Sequence, residues 1–290
     1  MKIHTKDVPN DTTVWNYILK NSNTAEAWED ISQSYNMPDI FRMKHNWNCD
    51  ELSKDIEEAK QIYGDHGWVY KNQTEDLKSP YTGFSLVYNP NHIDNLPEHQ
   101  GTFGTPNLDS GKFTTHNYKP VQTKNSYWDS HGMIKRTKAS KFKSIGRLLD
   151  CGKRTLMRSR VATCHGNTES MLEQNRNYHS DAPNHFAIRI NIPIKTSVTY
   201  FFKMENRSEP MFLDTGWAYT FNNEIPHKVY TARPSSNART HLVLAFSPWW
   251  DYNIEEDTWT TNKFFGKKHP MQMVMDGDVL SGLSNLDVDI

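Results

Sequence analysis

HSDAPNHFAIRINIP, residues 179–193, is the stretch whose reading decides the fold. From His185 onward it alternates. His185, Ala187, Arg189 and Asn191 fall on one side, and Phe186, Ile188, Ile190 and Ile192 fall on the other. A period of two with one polar and one apolar face is the pattern of a β-strand. NARTHLVLAF, residues 237–246, repeats it, setting Arg239, His241, Val243 and Ala245 against Thr240, Leu242, Leu244 and Phe246. A charged residue at the start of an otherwise apolar strand suits the mouth of a barrel, where it faces a ligand rather than hydrocarbon. Between these two stretches Val198–Met204 reads as a strand, Glu205–Pro210 as a turn, and Trp217, Tyr219 and Phe221 alternate toward His227. Upstream, Arg154–Thr163 reads as the strand leading toward residue 179.

Chemistry-bearing residues sit at the ends of these strands. His179 and Asp181 are two apart, so on an extended segment both side chains reach the same face and can hold one metal on adjacent coordination positions. His227 follows 46 residues after Asp181, and Arg239 twelve residues after His227. Two histidines and one carboxylate are what a three-coordinate facial site for Fe(II) requires, with three positions left open. An H-x-D tripeptide alone is weak evidence in a chain with thirteen histidines and 23% charged residues. The strand pattern, Pro226-His227 and the downstream arginine give it weight. Arg239 has a planar guanidinium that takes a carboxylate in a bidentate pair and keeps its proton.

On these residues the chain resembles the iron(II)- and 2-oxoglutarate-dependent oxygenases, in their aspartyl/asparaginyl β-hydroxylase-like or proline-hydroxylase-like branch. The similar stretch runs roughly from Arg154 to Trp250. That branch shows a glycine and aromatic residues on the strand leading to the distal histidine, often ending in Pro-His, and Gly216, Trp217, Tyr219, Pro226 and His227 fit. The β-hydroxylases proper lack the carboxylate ligand, whereas this chain has Asp181. The resemblance implies a mainly β fold with flanking helices, a cupin-like double-stranded β-helix or jelly roll. It implies Fe(II), 2-oxoglutarate and O2 as cofactors, His179, Asp181 and His227 as metal ligands, and Arg239 on the far carboxylate of 2-oxoglutarate. Arg189 and Asn191 are candidate cosubstrate contacts, with an ordinary half-exposed strand as the other reading. Asp181 fills the position that related halogenases leave to chloride, which favours hydroxylation. The implied substrate is an amino acid, free or within a peptide or protein. Two other readings stand: a non-oxidative cupin-like metal enzyme of isomerase type, and a jelly-roll binding protein without catalysis. His185 and His241 read as hydrogen-bonded scaffold histidines, and His165 as a strand-end residue within reach of substrate.

Length and composition bound the remainder. At 290 residues the chain can bury one large core, and 1–290 reads as a single domain. Its expected parts are a helical support over 1–80, a long insertion or lid over 89–129, the core over 154–250 and a C-terminal cap over 251–290. Residues 89–129 are rich in Asn, Pro, Gly, Thr and His without periodicity, which fits a functional insertion or a disordered one. Helices are expected over Thr12–Asn36, over Glu51–Tyr63 behind a cap at Asp50, and over 134–150. A formal net charge of −1 gives no global field for duplex nucleic acid or an anionic membrane. Basic residues accumulate over Lys135–Arg160 and read as a solvated helix and strand, or as a patch for an acidic partner. A mean hydropathy of −0.79 with no long apolar run excludes a membrane helix, and the first residues lack an apolar secretion segment, so a cytoplasmic location is expected. Three cysteines without zinc-type spacing fit that compartment. The sequence leaves the oligomeric state open.

Overall fold

The structure is a computed structural model that describes residues 1–9, 12–63, 65–67, 81–88, 106–107, 112–113, 131–166, 178–233 and 236–290. Strands β1 (Lys2–His4), β2 (Ile40–His45), β3 (His66–Gly67), β4 (Tyr81–Ser85) and β5 (Val87–Tyr88) precede two short ones, β6 (Pro106–Asn107) and β7 (Lys112–Phe113). After β8 (Lys135–Arg136) come β9 (Leu156–Cys164), β10 (Ile188–Lys195), β11 (Tyr200–Met204), β12 (Trp217–Phe221), β13 (His227–Thr231) and β14 (Arg239–Phe246). The chain closes with β15 (Trp250–Asn253), β16 (Thr258–Thr261) and β17 (Leu283–Asp287). Among the described residues, the α-helices α1 (Val14–Asn21), α2 (Thr24–Ser34), α3 (Cys49–Tyr63) and α4 (Lys143–Asp150) lie ahead of β9.

The main sheet runs β17-β2-β12-β10-β14-β9-β4-β3, with every pairing antiparallel. A smaller ladder, β11-β13, is extended on one side by the bridge His179↔His227 and on the other by Phe202↔Met211. From β9 the chain goes to the His179 segment, back to β10, across to β11 and Met211, back to β12, across to β13 and back to β14. Alternation between two antiparallel sheets is what makes a double-stranded β-helix, and the fold is the expected jelly roll.

The period-two pattern explains the layering. Ile188, Ile190, Ile192, Leu242, Leu244 and Phe246 are all fully buried. They join one core cluster with Val161, with Leu52, Ile56 and Ala59 of α3, and with Ile145, Leu148 and Leu149 of α4. Each such side chain contributes roughly 1.5–3 kcal/mol by leaving water, so the apolar strand face and the helices hold each other in place. A second cluster of Ile40, Phe202, Met204, Met211, Leu213, Tyr219 and Phe221 is built from both sheets. The alternating aromatics Tyr219 and Phe221 thus belong to core, while Trp217 carries the Arg42 guanidinium over its ring at 4.2 Å.

Three local expectations are corrected. The helix over Thr12–Asn36 is two helices, broken where the Ser22 hydroxyl bonds Ile18 O at 2.6 Å and Thr24 Oγ1 at 2.8 Å, a side-chain competition with the helical ladder. The cap of α3 is Asn48, not Asp50: Asn48 Oδ1 accepts from the amides of Asp50 (3.0 Å) and Glu51 (3.2 Å). Over 134–150 only Lys143–Asp150 is α-helix, because Lys135–Arg136 pair with Val87–Tyr88 and the Thr137 hydroxyl donates to Ser85 O at 3.1 Å. Apart from the β6-β7 pair, the expected insertion over 89–129 lies outside the described residues, as do 167–177 of the loop before His179. Among the described residues no helix is long and apolar enough to cross a membrane.

Candidate metal centre

His179, Asp181 and His227 come together, with one candidate ligand atom from each all within 4.8 Å of one another. The main chain does most of the assembly. His179 and His227 exchange both backbone hydrogen bonds, at 3.0 and 2.9 Å, so the two strands present their imidazoles side by side with ring centroids 4.6 Å apart. The Asp181 amide donates to Asn223 O at 2.8 Å. Two fully buried asparagines pin that loop: Asn223 Nδ2 donates to Ala187 O at 3.2 Å, and Asn184 Nδ2 to Phe221 O at 3.4 Å. Sequence reasoning missed both. Their only signal is the position of Asn184 inside HSDAPNH and Asn223 ahead of Pro226-His227.

The protonation states suit a cation. His227 Nδ1 lies 2.8 Å from Ile225 O. A carbonyl only accepts, so Nδ1 carries the proton and Nε2 keeps a lone pair. That Nε2 stands 3.6 Å from Asp181 Oδ2. Burial, opposed by the Ile225 bond and aided by Arg189, pushes the His227 imidazole down to about 4. His179 is exposed as a residue, yet protein around its ring leads, with His227, Arg189 and Arg160, in pushing it to about 4 as well. Both rings are neutral near pH 7, the form that ligates metal.

Arg189 is buried, and its Nη1 is ion-paired with Asp181 Oδ2. The pair fixes which side of the main sheet looks toward the His179–His227 strands. Directly paired residues share a face, so Arg189↔Ala245, Asn191↔Val243↔Arg160, Pro193↔His241↔Ala162 and Arg239↔Cys164 place Arg189, Asn191, Arg160, His241 and Arg239 on that inner face. Arg239 Nη2 donates to His241 Nδ1 at 3.0 Å. A guanidinium has no acceptor, so the His241 proton sits on Nε2, and burial together with Arg239 pushes the imidazole below its ordinary value. Among the described residues, His241 Nε2 and Asn191 Nδ2 are buried without a hydrogen-bond partner. Unpartnered buried donors are uncommon and ask for an acceptor.

Arg160 was read from sequence with the surface-basic run. The bulge in β9, with Arg158 at φ 39°, shifts the register and turns Arg160 inward opposite Val243. Within the same run Arg136, Arg147 and Arg154 are ion-paired with Asp150, Glu51 and Asp251. His185 stacks on Trp28 outside the centre, and His165 Nε2 meets Thr82 Oγ1 at 2.8 Å beside Asp65. Cys49, Cys151 and Cys164 form no disulfide among the described residues.

What fold and site define is a jelly roll with a two-histidine, one-carboxylate cluster between its sheets. No protein-family profile and no curated protein sequence matches the chain. Among solved structures it is similar to a prolyl hydroxylase from Trichoplax adhaerens in complex with a hypoxia inducible factor oxygen degradation domain peptide. The identity there is 10%, over 81% of this chain and 93% of that one, with a TM-score of 0.40. The alpha ketoglutarate dependent epimerase SnoN from nogalamycin biosynthesis follows at 10%, 77%, 84% and 0.39, and a Pseudomonas putida prolyl-4-hydroxylase at 10%, 78%, 99% and 0.38. No residue role is carried over from them.

Proposed function

We propose that the protein is an Fe(II)- and 2-oxoglutarate-dependent dioxygenase that hydroxylates an unactivated C–H bond of an amino acid, free or within a peptide or protein. The observation that carries this reading is the pairing of two neutral histidines and a carboxylate with an inner face that presents buried N–H groups. A metal explains the cluster. A dicarboxylate explains the donors: Arg239 offers a bidentate fork, while His241 Nε2–H and Asn191 Nδ2 offer further N–H groups with no partner among the described residues.

His179, Asp181 and His227 would hold the iron, which supplies oxygen activation coupled to decarboxylation of 2-oxoglutarate. The chain's own residues account for the rest. Ile225 O fixes the His227 tautomer, and Arg239 with Asn191 anchors the cosubstrate carboxylate, with Arg189 between the two groups. Phe202 and Phe221 pack on the His227 ring at 5.6 and 4.8 Å and keep water from that side. Asp181 supplies a third protein ligand, which supports hydroxylation over halogenation. We read 1–290 as one domain, in which 154–250 holds the site, 1–80 supports it and 251–290 caps it.

The test is anaerobic addition of Fe(II) and 2-oxoglutarate while the visible charge-transfer band of the chelate is recorded. The band is expected in the parent protein and is expected to vanish in His179→Ala and Arg239→Ala. Metal binding without the band would replace this reading with a non-oxidative cupin-like enzyme, and absence of metal binding would leave a jelly-roll binding protein.

A further inference from the structure

We infer that Arg189 is a positioning residue for the metal centre: it holds Asp181 Oδ2 and so fixes the carboxylate beside the His227 ring, and it does so only through Asp181. This rests on the metal reading above. Arg189 grips Asp181 Oδ2, the oxygen that also stands 3.6 Å from His227 Nε2. The Asp181 backbone is tied by its amide to Asn223 O. With backbone and Oδ2 both held, the carboxylate keeps one orientation beside His227 Nε2. The backbones of His179 and His227 are held instead by reciprocal main-chain bonds, and the His227 ring by Ile225 O.

The residue type matters. Arg189 is buried as the second residue of β10, a strand whose alternate positions Ile188, Ile190, Ile192 and Ile194 are buried isoleucines. A guanidinium is planar and forked, so it sets the plane of the carboxylate as well as its place, which an ammonium does not. A cation buried beside a divalent-metal site repels the metal, so the position tolerates arginine only if the ordering of Asp181 outweighs that repulsion. Partners of metal-ligating groups commonly change affinity by about 10–100-fold when removed.

The experiment is Co(II) titration of the purified full chain by calorimetry and by the ligand-field spectrum, on the parent, Arg189→Lys, Arg189→Gln, Asp181→Asn and Asp181→Asn with Arg189→Gln. We expect Arg189→Gln to bind Co(II) at least about tenfold more weakly with an altered spectrum, and Arg189→Lys to fall between it and the parent. In the Asp181→Asn background, Arg189→Gln should add nothing, since the residue on which it acts is gone. Should Arg189→Gln fail to fold, Arg189→Lys carries the comparison. Unchanged or tighter binding in both variants overturns the inference, as does an equal loss in the Asp181→Asn background. If the parent takes up no Co(II), the metal reading itself falls, an outcome distinct from either of these.

Discussion

Lowering the pH should destabilise this protein through three buried histidines away from the metal centre, in addition to the pair within it. His131, His185 and His269 are 1%, 7% and 6% exposed and lie within one aromatic assembly. His131 stacks on Trp15 at 4.9 Å and meets Phe186 at 4.9 Å and Trp259 at 5.0 Å. His185 stacks on Trp28 at 4.7 Å, and His269 lies 5.1 Å from the same Trp28 and 6.0 Å from Tyr35. These ring neighbours bring no anion. Burial pushes His185 and His269 to about 4, and burial together with His185 pushes His131 to about 3, against 6.5 for the free group. The folded-state values lie below the unfolded one, so the unfolded chain binds more protons between them, and stability is intact above about pH 6.5 and falls as pH drops toward 4. Each histidine contributes about 1.4 kcal/mol per pH unit in that window, or about 2 kcal/mol at pH 5, and the three together about 6 kcal/mol. That is comparable with the whole stability of an ordinary domain, about 5–15 kcal/mol. Urea unfolding at about pH 7.5 and about pH 5, followed by tryptophan fluorescence, measures it. His185→Phe should flatten the dependence. An unfolding free energy that is the same at both pH values, or larger at the lower one, refutes the reasoning.

Other outcomes follow from particular contacts. Arg239→Ala should weaken 2-oxoglutarate binding roughly 10–100-fold at unchanged Co(II) affinity, since a charge-assisted pair contributes about 1.5–3 kcal/mol; calorimetry with each ligand separates the two. Gly166→Ala should destabilise by about 1–3 kcal/mol, because its Cβ would stand 2.6 Å from Tyr200 Oη and 3.0 Å from Thr231 Cγ2; thermal unfolding reads this. Phe202→Ala should cost about 3–5 kcal/mol in the cluster between the sheets and weaken Co(II) binding by loosening the His227 ring, visible in the same titration. Co(II) at about a hundred times its dissociation constant should stabilise the protein by about 2.7 kcal/mol, and a chelator should reverse it; an unshifted melting curve would count against a metal site.

The sequence made the strands legible wherever one face was apolar and the other polar. The alternation in 185–193 and 237–246 predicted the inner and outer faces of β10 and β14, because a period of two admits no other arrangement once the isoleucines are buried. The grouping of His179, Asp181 and His227 was legible for the same reason, as residues at strand ends. Arg160 was not, since an unmarked bulge decides its face and the surrounding charge run points to solvent. Helix ends were missed where Ser22, Asn48 and Thr137 bond locally, choices that propensity alone does not rank. Asn184 and Asn223 were invisible because their partners are backbone carbonyls from other parts of the fold.

The division of labour within the site follows from which bonds hold each part. Both histidines are set by main-chain bonds between strands, which no single side-chain substitution removes. Asp181 sits on the loop leading to β10, held by an asparagine carbonyl and an arginine. The geometry of the centre therefore varies most easily at the carboxylate, through Asn184, Asn223 and Arg189, while the backbones of the histidine pair stay in place. The proposed anion-binding face is built in the opposite way. Arg239, His241 and Asn191 stand on adjacent strands whose outer faces are locked into the α3–α4 core, so their spacing is that of the sheet itself. On the proposed reading, a rigid donor face beside a centre with one adjustable ligand would fix the cosubstrate end and leave adaptation to the carboxylate.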